Sequence, residues 1–240
     1  MIANSWMNTP VGFTLRAGQP VDIDPIAAMA NPAAFQEVLH VTCAAYAATG
    51  FVVAGIHAAM LLRDPANGFH QRALQIALAV GAVAALIQPL TGDVAARAVA
   101  RQQPIKLAAF EGLFESSRGA PLAIGGIPDA AARITRYAIE VPYLLSLLAY
   151  RDPFAMVRGL DSFPEDQWPA PLPAIHIAFQ VMVGAGMAMA AVALWAGWLV
   201  WRRQPVWDSP WFLRALVAAA PLGLIAVEAG WVVTEVGRQP

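Results

Sequence analysis

The chain has 240 residues, of which 58% are hydrophobic and only 13% are charged. An ordinary soluble domain carries about 25% charged residues, so this composition, with a mean hydropathy of +0.54, excludes a water-soluble globule. The formal net charge of −1 excludes the basic surface of a nucleic-acid-binding protein. A single cysteine, Cys43, excludes a disulfide framework and a cysteine-based zinc or iron–sulfur site. We therefore interpret the chain as an integral membrane protein.

Four stretches are long and apolar enough to cross a bilayer, which requires about 20 residues in a helix. They lie at about residues 35–62, 73–90, 174–201 and 212–236. Arginines flank the two short connections between these spans, and the positive-inside rule places such connections in the cytoplasm. The arginines are Arg63, Arg72, Arg202, Arg203 and Arg214. The sequence thus predicts an all-α membrane protein whose second and third spans are joined by a long extracytoplasmic segment.

This pattern divides the chain into four parts. Residues 1–33 are predicted to be extracytoplasmic, 34–92 to hold the first two transmembrane helices, 93–173 to form the long loop, and 174–240 to hold the last two helices. The loop has turn-rich stretches at 125–129 and 163–169, which are typical of a folded connection. Residues 139–149 are apolar but too few to cross a membrane, so we expect a packed or interfacial helix there.

Two potential iron ligands lie at matched depth on different spans. His40 is about one and a half turns into the first span from the outside, and Met182 is about two turns into the third. An imidazole and a thioether at one depth can hold a low-spin haem iron from its two faces. The alternatives are a histidine that only hydrogen-bonds a neighbouring helix and a methionine that only fills space. Spacing alone leaves both interpretations open.

The fourth span carries polar groups on one helical face. Glu228, Trp231, Glu235 and Arg238 follow each other at intervals of three or four residues, which places them on one side of the helix. Charged groups within a span rarely face lipid. The face is therefore expected to point towards a bound cofactor or to form an ion-pair network with another helix.

The long loop contains a short run with the chain's single lysine. Lys106 is followed by Glu111 and Glu115, and the two glutamates have the i, i+4 spacing of one helical face. A carboxylate beside a lysine at the membrane surface could accept a proton from a quinol hydroxyl while the lysine holds a ring oxygen. The alternative is a solvated loop helix without a chemical role, and from spacing alone it is the favoured interpretation.

Short motifs along nearly the whole chain resemble subunit I of the cytochrome bd quinol oxidases. The matches, in chain order, are residues 4–10 with the family's NGWMQNP segment, Asn31-Pro32 and His40 with its NP…H stretch, Gly92-Asp93 with its GD pair, residues 106–111 with KLAA-x-E, residues 126–129 with GIPD, residues 179–183 with FRIMV, and residues 228–231 and 237–240 with EAGW and GRQP. Their order is that of the family, and together they are highly specific.

The resemblance implies a role for each matched residue. His40 and Met182 correspond to the axial ligands of the low-spin haem b, and Glu235 corresponds to the ligand of the high-spin haem b. Trp231 would lie between haems and Arg238 near haem propionates. Lys106 and Glu111 would bind and oxidise quinol in the loop that the family calls the Q-loop, here 93–173.

The resemblance also implies the setting of the protein. It predicts a multi-pass subunit in the bacterial cytoplasmic membrane that oxidises quinol at the outer face and passes electrons through haem b to an oxygen-reducing haem, either haem d or a further haem b. It implies subunit II as a partner and allows a small accessory membrane subunit. The competing hypothesis is a haem-free transporter or assembly subunit whose polar residues only bind neighbouring helices.

Two departures from the family pattern stand out. Gln180 occupies a position where the family usually has arginine, and loss of that cation is expected to lower the potential of the low-spin haem. The matches also begin within the family's subunit I and stop before its last helix. We therefore expect an internal fragment, or a gene model cut at both ends, without the histidine ligand of haem d.

Overall fold

Four long apolar helical segments dominate the computed structural model, which describes residues 2–237. The α-helices of this part of the chain are α1 (Ile2–Asn8), α2 (Pro25–Met29), α3 (Ala34–Leu61), α4 (Gly68–Gln102), α5 (Pro104–Glu111), α6 (Leu144–Tyr150), α7 (Leu172–Trp201), α8 (Pro210–Ala219) and α9 (Leu222–Val236). Three spans are single helices, α3, α4 and α7, and the fourth is made of α8 and α9 in succession. The predicted four-span helical membrane fold is confirmed.

The segments outside the spans contain short strands that the all-α prediction did not include. Each strand has two or three residues and pairs with one antiparallel partner. The pairs are β1 (Thr14–Arg16) with β2 (Gln19–Val21), β3 (Ser117–Arg118) with β8 (Met156–Val157), β4 (Leu122–Ile124) with β7 (Ile139–Val141), and β5 (Ile127–Asp129) with β6 (Ile134–Arg136). Single turns of 3-10 helix lie at Leu160–Ser162, Glu165–Gln167 and Val206–Asp208. The expected helix at 139–149 is wrong in its first part, because residues 139–141 pair with β4 and only α6 is helical.

The second span is longer than its apolar run. It continues from Gly68 through Pro89 to Gln102, whereas hydropathy predicts an end near residue 90. Pro89 cannot donate a backbone hydrogen bond, but one such loss is tolerated where neighbouring helices support the chain. The added turns are polar, and Asp93 accepts bonds from Arg97 at 2.8 Å and from Arg151 at 2.5 Å. Charged residues therefore lower the hydropathy of these last turns of α4, and one of them, Asp93, binds the helix to the loop through Arg151.

The four spans form a bundle in which each packs against its neighbours. Helix α3 packs against α4, α8 and α9, and α7 packs against the same three elements, so α3 and α7 lie diagonally opposite. We call the end of the bundle near Arg63 and Arg202 the arginine side, and the opposite end the loop side.

Small residues allow the helices to approach closely. A Cβ atom built on Gly50 would lie 2.4 Å from the Cα of Gly81, and one on Gly223 would lie 2.4 Å from the Cα of Ala48. Such contacts are typical of membrane helices, where close backbone packing replaces the hydrophobic effect between spans. They fix the α3–α4 and α3–α9 crossings.

We expect Gly50→Ala to destabilise the folded chain by about 1–3 kcal/mol, the usual cost of overpacking, because the obstructing atom is backbone and cannot swing away. A thermal unfolding midpoint measured in detergent tests this. Gly197→Ala on α7 is the matched control, since no atom lies within 4 Å of its added Cβ and alanine favours the helix. Equal midpoints for the two variants would show that the crossing is not tight.

Candidate haem and quinol sites

In one layer of the described bundle, three of the helices have no buried residues. On the arginine side a core of buried residues extends across α3, α4, α7 and α8, and at the loop end a second core joins α5, α6 and the ends of the spans. Between these cores, α3 has no buried residue between Ala34 and Ala47. Helix α7 has none between His176 and Ala185, and α9 has none between Gly223 and Val233. We call this part of the described chain the unpacked layer.

His40 lies in the unpacked layer and is oriented by α4. Its Nδ1 atom is 3.1 Å from Oγ1 of Thr91, which in turn donates to the carbonyl of Gln88 at 3.0 Å. Because the threonine hydroxyl gives its proton to that carbonyl, it accepts one from Nδ1, and Nε2 of the ring is left with its lone pair. Nε2 now faces the amide nitrogen of Gln88 at 3.1 Å; an iron on Nε2 would replace that contact.

Met182 lies in the same layer on the diagonally opposite helix. A Cβ built on Gly230 of α9 would lie 2.9 Å from its Sδ atom. A larger residue at 230 would therefore force the thioether to move. His40 and Met182 lie on α3 and α7, the two diagonally opposite helices of the bundle.

Small residues lie beside these two side chains. A Cβ on Gly92 would lie 3.4 Å from the ring of His40. Oε1 of Gln88 is buried without a hydrogen-bond partner among residues 2–237. An imidazole and a thioether on two diagonally opposite helices, with a glycine beside each, are a donor set that would suit a low-spin haem.

The polar face of α9 is open in the described part of the chain. Glu228 and Glu235 are exposed, and Trp231 retains 62% of its accessible surface. Nδ2 of Asn4 donates to Oε1 of Glu235 at 2.8 Å, so the first helix of the chain reaches the end of α9. Arg238, the fourth predicted member of this face, lies outside the described residues. The open face leaves a cofactor or a further protein segment as its cover.

Lys106 lies on α5 and points towards the end of α9. The helix begins at Pro104, whose missing N–H needs no partner there, and Lys106 is only 5% exposed. Its Nζ donates to the carbonyl of Thr234 at 3.4 Å, one residue before Glu235. The lysine therefore connects the Q-loop helix to the part of α9 that carries a predicted haem ligand.

Glu111 is the last residue of α5 and is buried, with 6% of its surface exposed. Its Oε2 has no hydrogen-bond partner in the described chain, and burial raises the pKa of this carboxyl to about 8. Lys106 and Glu111 are five residues apart, which separates them by about 140° around the helix. Their side chains therefore extend from different sides of this buried helix.

These positions correct several expectations. The solvated-helix interpretation of the run at 106–115 is wrong, because every residue from Ile105 to Glu111 is buried. The shared face of Glu111 and Glu115 is also wrong. Gly112 ends the helix in the left-handed conformation, with φ at 66°, and Glu115 is exposed beyond it. A glycine is required at residue 112 because a Cβ there would lie 2.6 Å from Oγ1 of Thr135.

The remaining histidines and Gln180 have structural partners that spacing did not indicate. His70 is half-buried, with Nδ1 2.9 Å from Nδ1 of His57. Gln180 donates to the carbonyl of Ala123 at 2.9 Å and accepts from the amide of Gly125 at 3.2 Å. It holds the backbone of the Q-loop; the effect of this residue on a haem potential stays a prediction. Three further residues of the site were not predicted from the sequence. Thr91, Gln88 and His176 lie in apolar stretches, and no sequence pattern there indicates a role in the site.

Fold and site together define a multi-pass helical membrane protein with a folded loop on one end of its bundle and the unpacked layer beneath that loop. The chain belongs to the cytochrome bd terminal oxidase subunit I family, because the sequence model of that family matches residues 1–240. The predicted family is thus confirmed.

Individual relatives agree with this assignment. The chain is 38% identical over 243 residues to a putative cytochrome bd menaquinol oxidase subunit I of Bacillus subtilis, covering 99% of this chain and 54% of the relative. It is 35% identical over 250 residues to the cytochrome bd ubiquinol oxidase subunit 1 of the same organism, covering 100% and 53%. A solved structure of bd oxidase from Geobacillus thermodenitrificans superimposes with a TM-score of 0.88 at 41% identity, covering 98% of this chain and 54% of that one. The chain spans about half the length of these relatives.

Proposed function

We propose that this chain carries the quinol-oxidising and electron-receiving part of a bd-type quinol oxidase. One observation carries the proposal: the buried helix with Lys106 and Glu111 belongs to the loop-end core, which bounds the unpacked layer that contains His40 and Met182. The printed names of the two Bacillus relatives, a menaquinol and a ubiquinol oxidase subunit, support a quinol as the substrate class. The partners are subunit II of the oxidase, with a small accessory membrane subunit possible, and the lipid bilayer.

The haem-binding roles follow from the side chains in the layer. Nε2 of His40 and Sδ of Met182 would hold the iron of a low-spin haem b, and Glu235 would hold that of a high-spin haem b, with Trp231 beside it and Arg238 near propionates. Such a haem, when bound, accepts electrons one at a time from the substrate. The oxygen-reducing haem would be haem d or a further haem b.

In this proposal Glu111 accepts a proton from the substrate and Lys106 orients it. A quinol that becomes a quinone releases two protons and two electrons, and four such electrons with four protons convert one oxygen molecule into two waters. Glu111 accepts a proton from one quinol hydroxyl, since its carboxylate has an oxygen without a competing partner. Lys106 donates a hydrogen bond to the other ring oxygen. Both steps take place on the predicted outer side, where the protons are released.

The pH dependence of turnover tests the proposal. Burial raises the pKa of Glu111 to about 8, so the proton-accepting carboxylate is in the minority at neutral pH and becomes dominant above about pH 8. We therefore expect kcat for quinol oxidation by the complex containing this chain to rise about tenfold per pH unit below 8 and to level off above it. A profile already flat from pH 6 would contradict a role for Glu111 as the base.

The contact between His40 and Thr91 gives a second prediction. Thr91→Val preserves shape but removes the acceptor of the Nδ1 proton, and loss of such an outer partner lowers metal affinity by about 10–100-fold. We expect the variant to lose low-spin haem b on detergent washing, as measured by a pyridine haemochromogen assay. Thr49→Val, on the exposed face of α3, is the control. Equal haem retention in the two variants would show that Thr91 does not support haem binding by His40.

A further inference from the structure

A fully buried histidine at the start of α7 binds two separate parts of the Q-loop. His176 has no exposed surface. Its Nδ1 atom is 2.8 Å from the carbonyl oxygen of Phe110, and its Nε2 atom is 2.9 Å from the carbonyl oxygen of Gly125. A ring nitrogen contacts a carbonyl favourably only as a donor, so the two contacts together require a proton on both nitrogens, the imidazolium form of the ring. The two contacts therefore join the end of α5 and the turn after β4 to one side chain of the bundle.

The contact to Phe110 is adjacent to Glu111. The carbonyl of the next residue, Gly112, accepts a bond of 2.7 Å from Oγ1 of Thr135 on β6. The peptide group before Glu111 and the one after Gly112 are therefore held by side chains, one from α7 and one from the loop. The ring of Phe110 also stacks on Phe179 of α7, with centroids 4.3 Å apart.

The contact to Gly125 is reinforced one turn further along α7. Gln180 binds the same turn through Ala123 and the amide of Gly125, and residues 176 and 180 share a helical face. In the described chain, His176 is the side chain that contacts both this turn and α5 through hydrogen bonds. A displacement of the turn is thus transmitted to the backbone beside Glu111.

We propose that His176 is a positioning residue for quinol oxidation: its Nδ1 contact sets the position of the Glu111 carboxylate, and its Nε2 contact fixes the turn at residues 123–126. The proposal rests on the proposed function for the role of Glu111, while the two-point attachment itself stands on geometry. The Nδ1 contact controls the proton acceptor, because it acts on the neighbouring peptide group. The Nε2 contact affects the acceptor only indirectly.

Two amide variants separate the contacts. The nitrogen of an asparagine amide is two bonds from Cβ, as Nδ1 is, and the nitrogen of a glutamine amide is three bonds away, as Nε2 is along the other edge of the ring. His176→Asn therefore keeps the contact to Phe110 and loses that to Gly125, whereas His176→Gln does the reverse. Thr135→Val removes the second attachment beside Glu111 without changing the bundle.

The experiment compares these variants in the purified complex by amide hydrogen exchange and by quinol kinetics. We expect His176→Gln to speed exchange about tenfold at the amides of Gly112 and Leu113, which donate to Ala109 and Ala108, and to lower kcat about tenfold with KM within twofold. We expect His176→Asn to speed exchange at residues 123–126 and to keep kcat within about threefold. Thr135→Val is expected to resemble His176→Gln.

Other outcomes overturn the proposal. Equal effects of His176→Asn and His176→Gln on exchange and kcat would mean that the histidine only stabilises the fold. Unchanged exchange at Gly112 and Leu113 in both His176→Gln and Thr135→Val would mean that neither side chain holds Glu111. If exchange changes as expected but Glu111→Gln leaves quinol oxidation intact, the positioning role in catalysis is overturned together with the proposed function, and only the two-point attachment remains.

Discussion

Replacement of Glu111 by glutamine should lower kcat for quinol oxidation by about 100-fold or more, the usual contribution of a general base. Glutamine has nearly the same shape, so the buried end of α5 should remain folded, but its amide cannot accept the proton of the quinol hydroxyl. Oxygen uptake with a soluble quinol analogue, normalised to haem content, measures this. The alkaline rise of kcat should disappear in the same variant.

The neighbouring glutamate supplies the control for this experiment. Glu115 is four residues further along the chain, exposed, and beyond the end of α5. Glu115→Gln changes the formal charge by the same amount and should leave kcat within about twofold, the expectation for an exposed side chain outside the site. A large loss in Glu115→Gln, or none in Glu111→Gln, would contradict the assignment of the proton acceptor.

Replacement of His40 by alanine should abolish the low-spin haem b signal in a reduced-minus-oxidised spectrum. The imidazole is the proposed nitrogen ligand of this haem, and alanine has no side-chain atom that could bind iron. Met182→Leu, which keeps an apolar side chain of similar size opposite Gly230, should convert the haem from low-spin to high-spin, because one axial ligand is lost. Quinol oxidation should fall with the signal in both variants.

His57→Ala is the matched control for the first of these variants. It removes a histidine from the same helix on the arginine side, where His57 contacts His70 and Phe69 rather than the unpacked layer. The haem spectrum should be unchanged. A low-spin band that survived in His40→Ala, or vanished equally in His57→Ala, would contradict the ligand assignment.

Hydropathy and motif order predicted the spans and the family because both depend on residues acting locally. The length of α4 could not be obtained in this way, since the helix continues into charged residues that Asp93 and Arg151 stabilise across the loop. The burial of α5 was also not predictable: whether a short helix is solvated depends on the elements that cover it, here α4 and α7. Local spacing describes a helix face but not what lies against it.

The candidate site divides in the same way. His40, Met182, Lys106 and Glu111 are visible in the sequence because their residue types carry chemistry. Thr91 contacts a side chain 51 residues away, and His176 contacts carbonyls 66 and 51 residues away, so only a folded chain brings out their role. Gly92 and Gly230 were also not predictable from the sequence, because they matter through the space that they leave beside His40 and Met182.

The central claim is that the unpacked layer holds a haem b between His40 and Met182. Near-infrared magnetic circular dichroism of the oxidised complex tests it most directly, because the charge-transfer band of low-spin haem distinguishes histidine–methionine from bis-histidine coordination. We predict one haem b with the histidine–methionine band, which Met182→Leu abolishes and His57→Ala leaves unchanged. A complex containing this chain that shows no such band, or retains it in Met182→Leu, would contradict the claim.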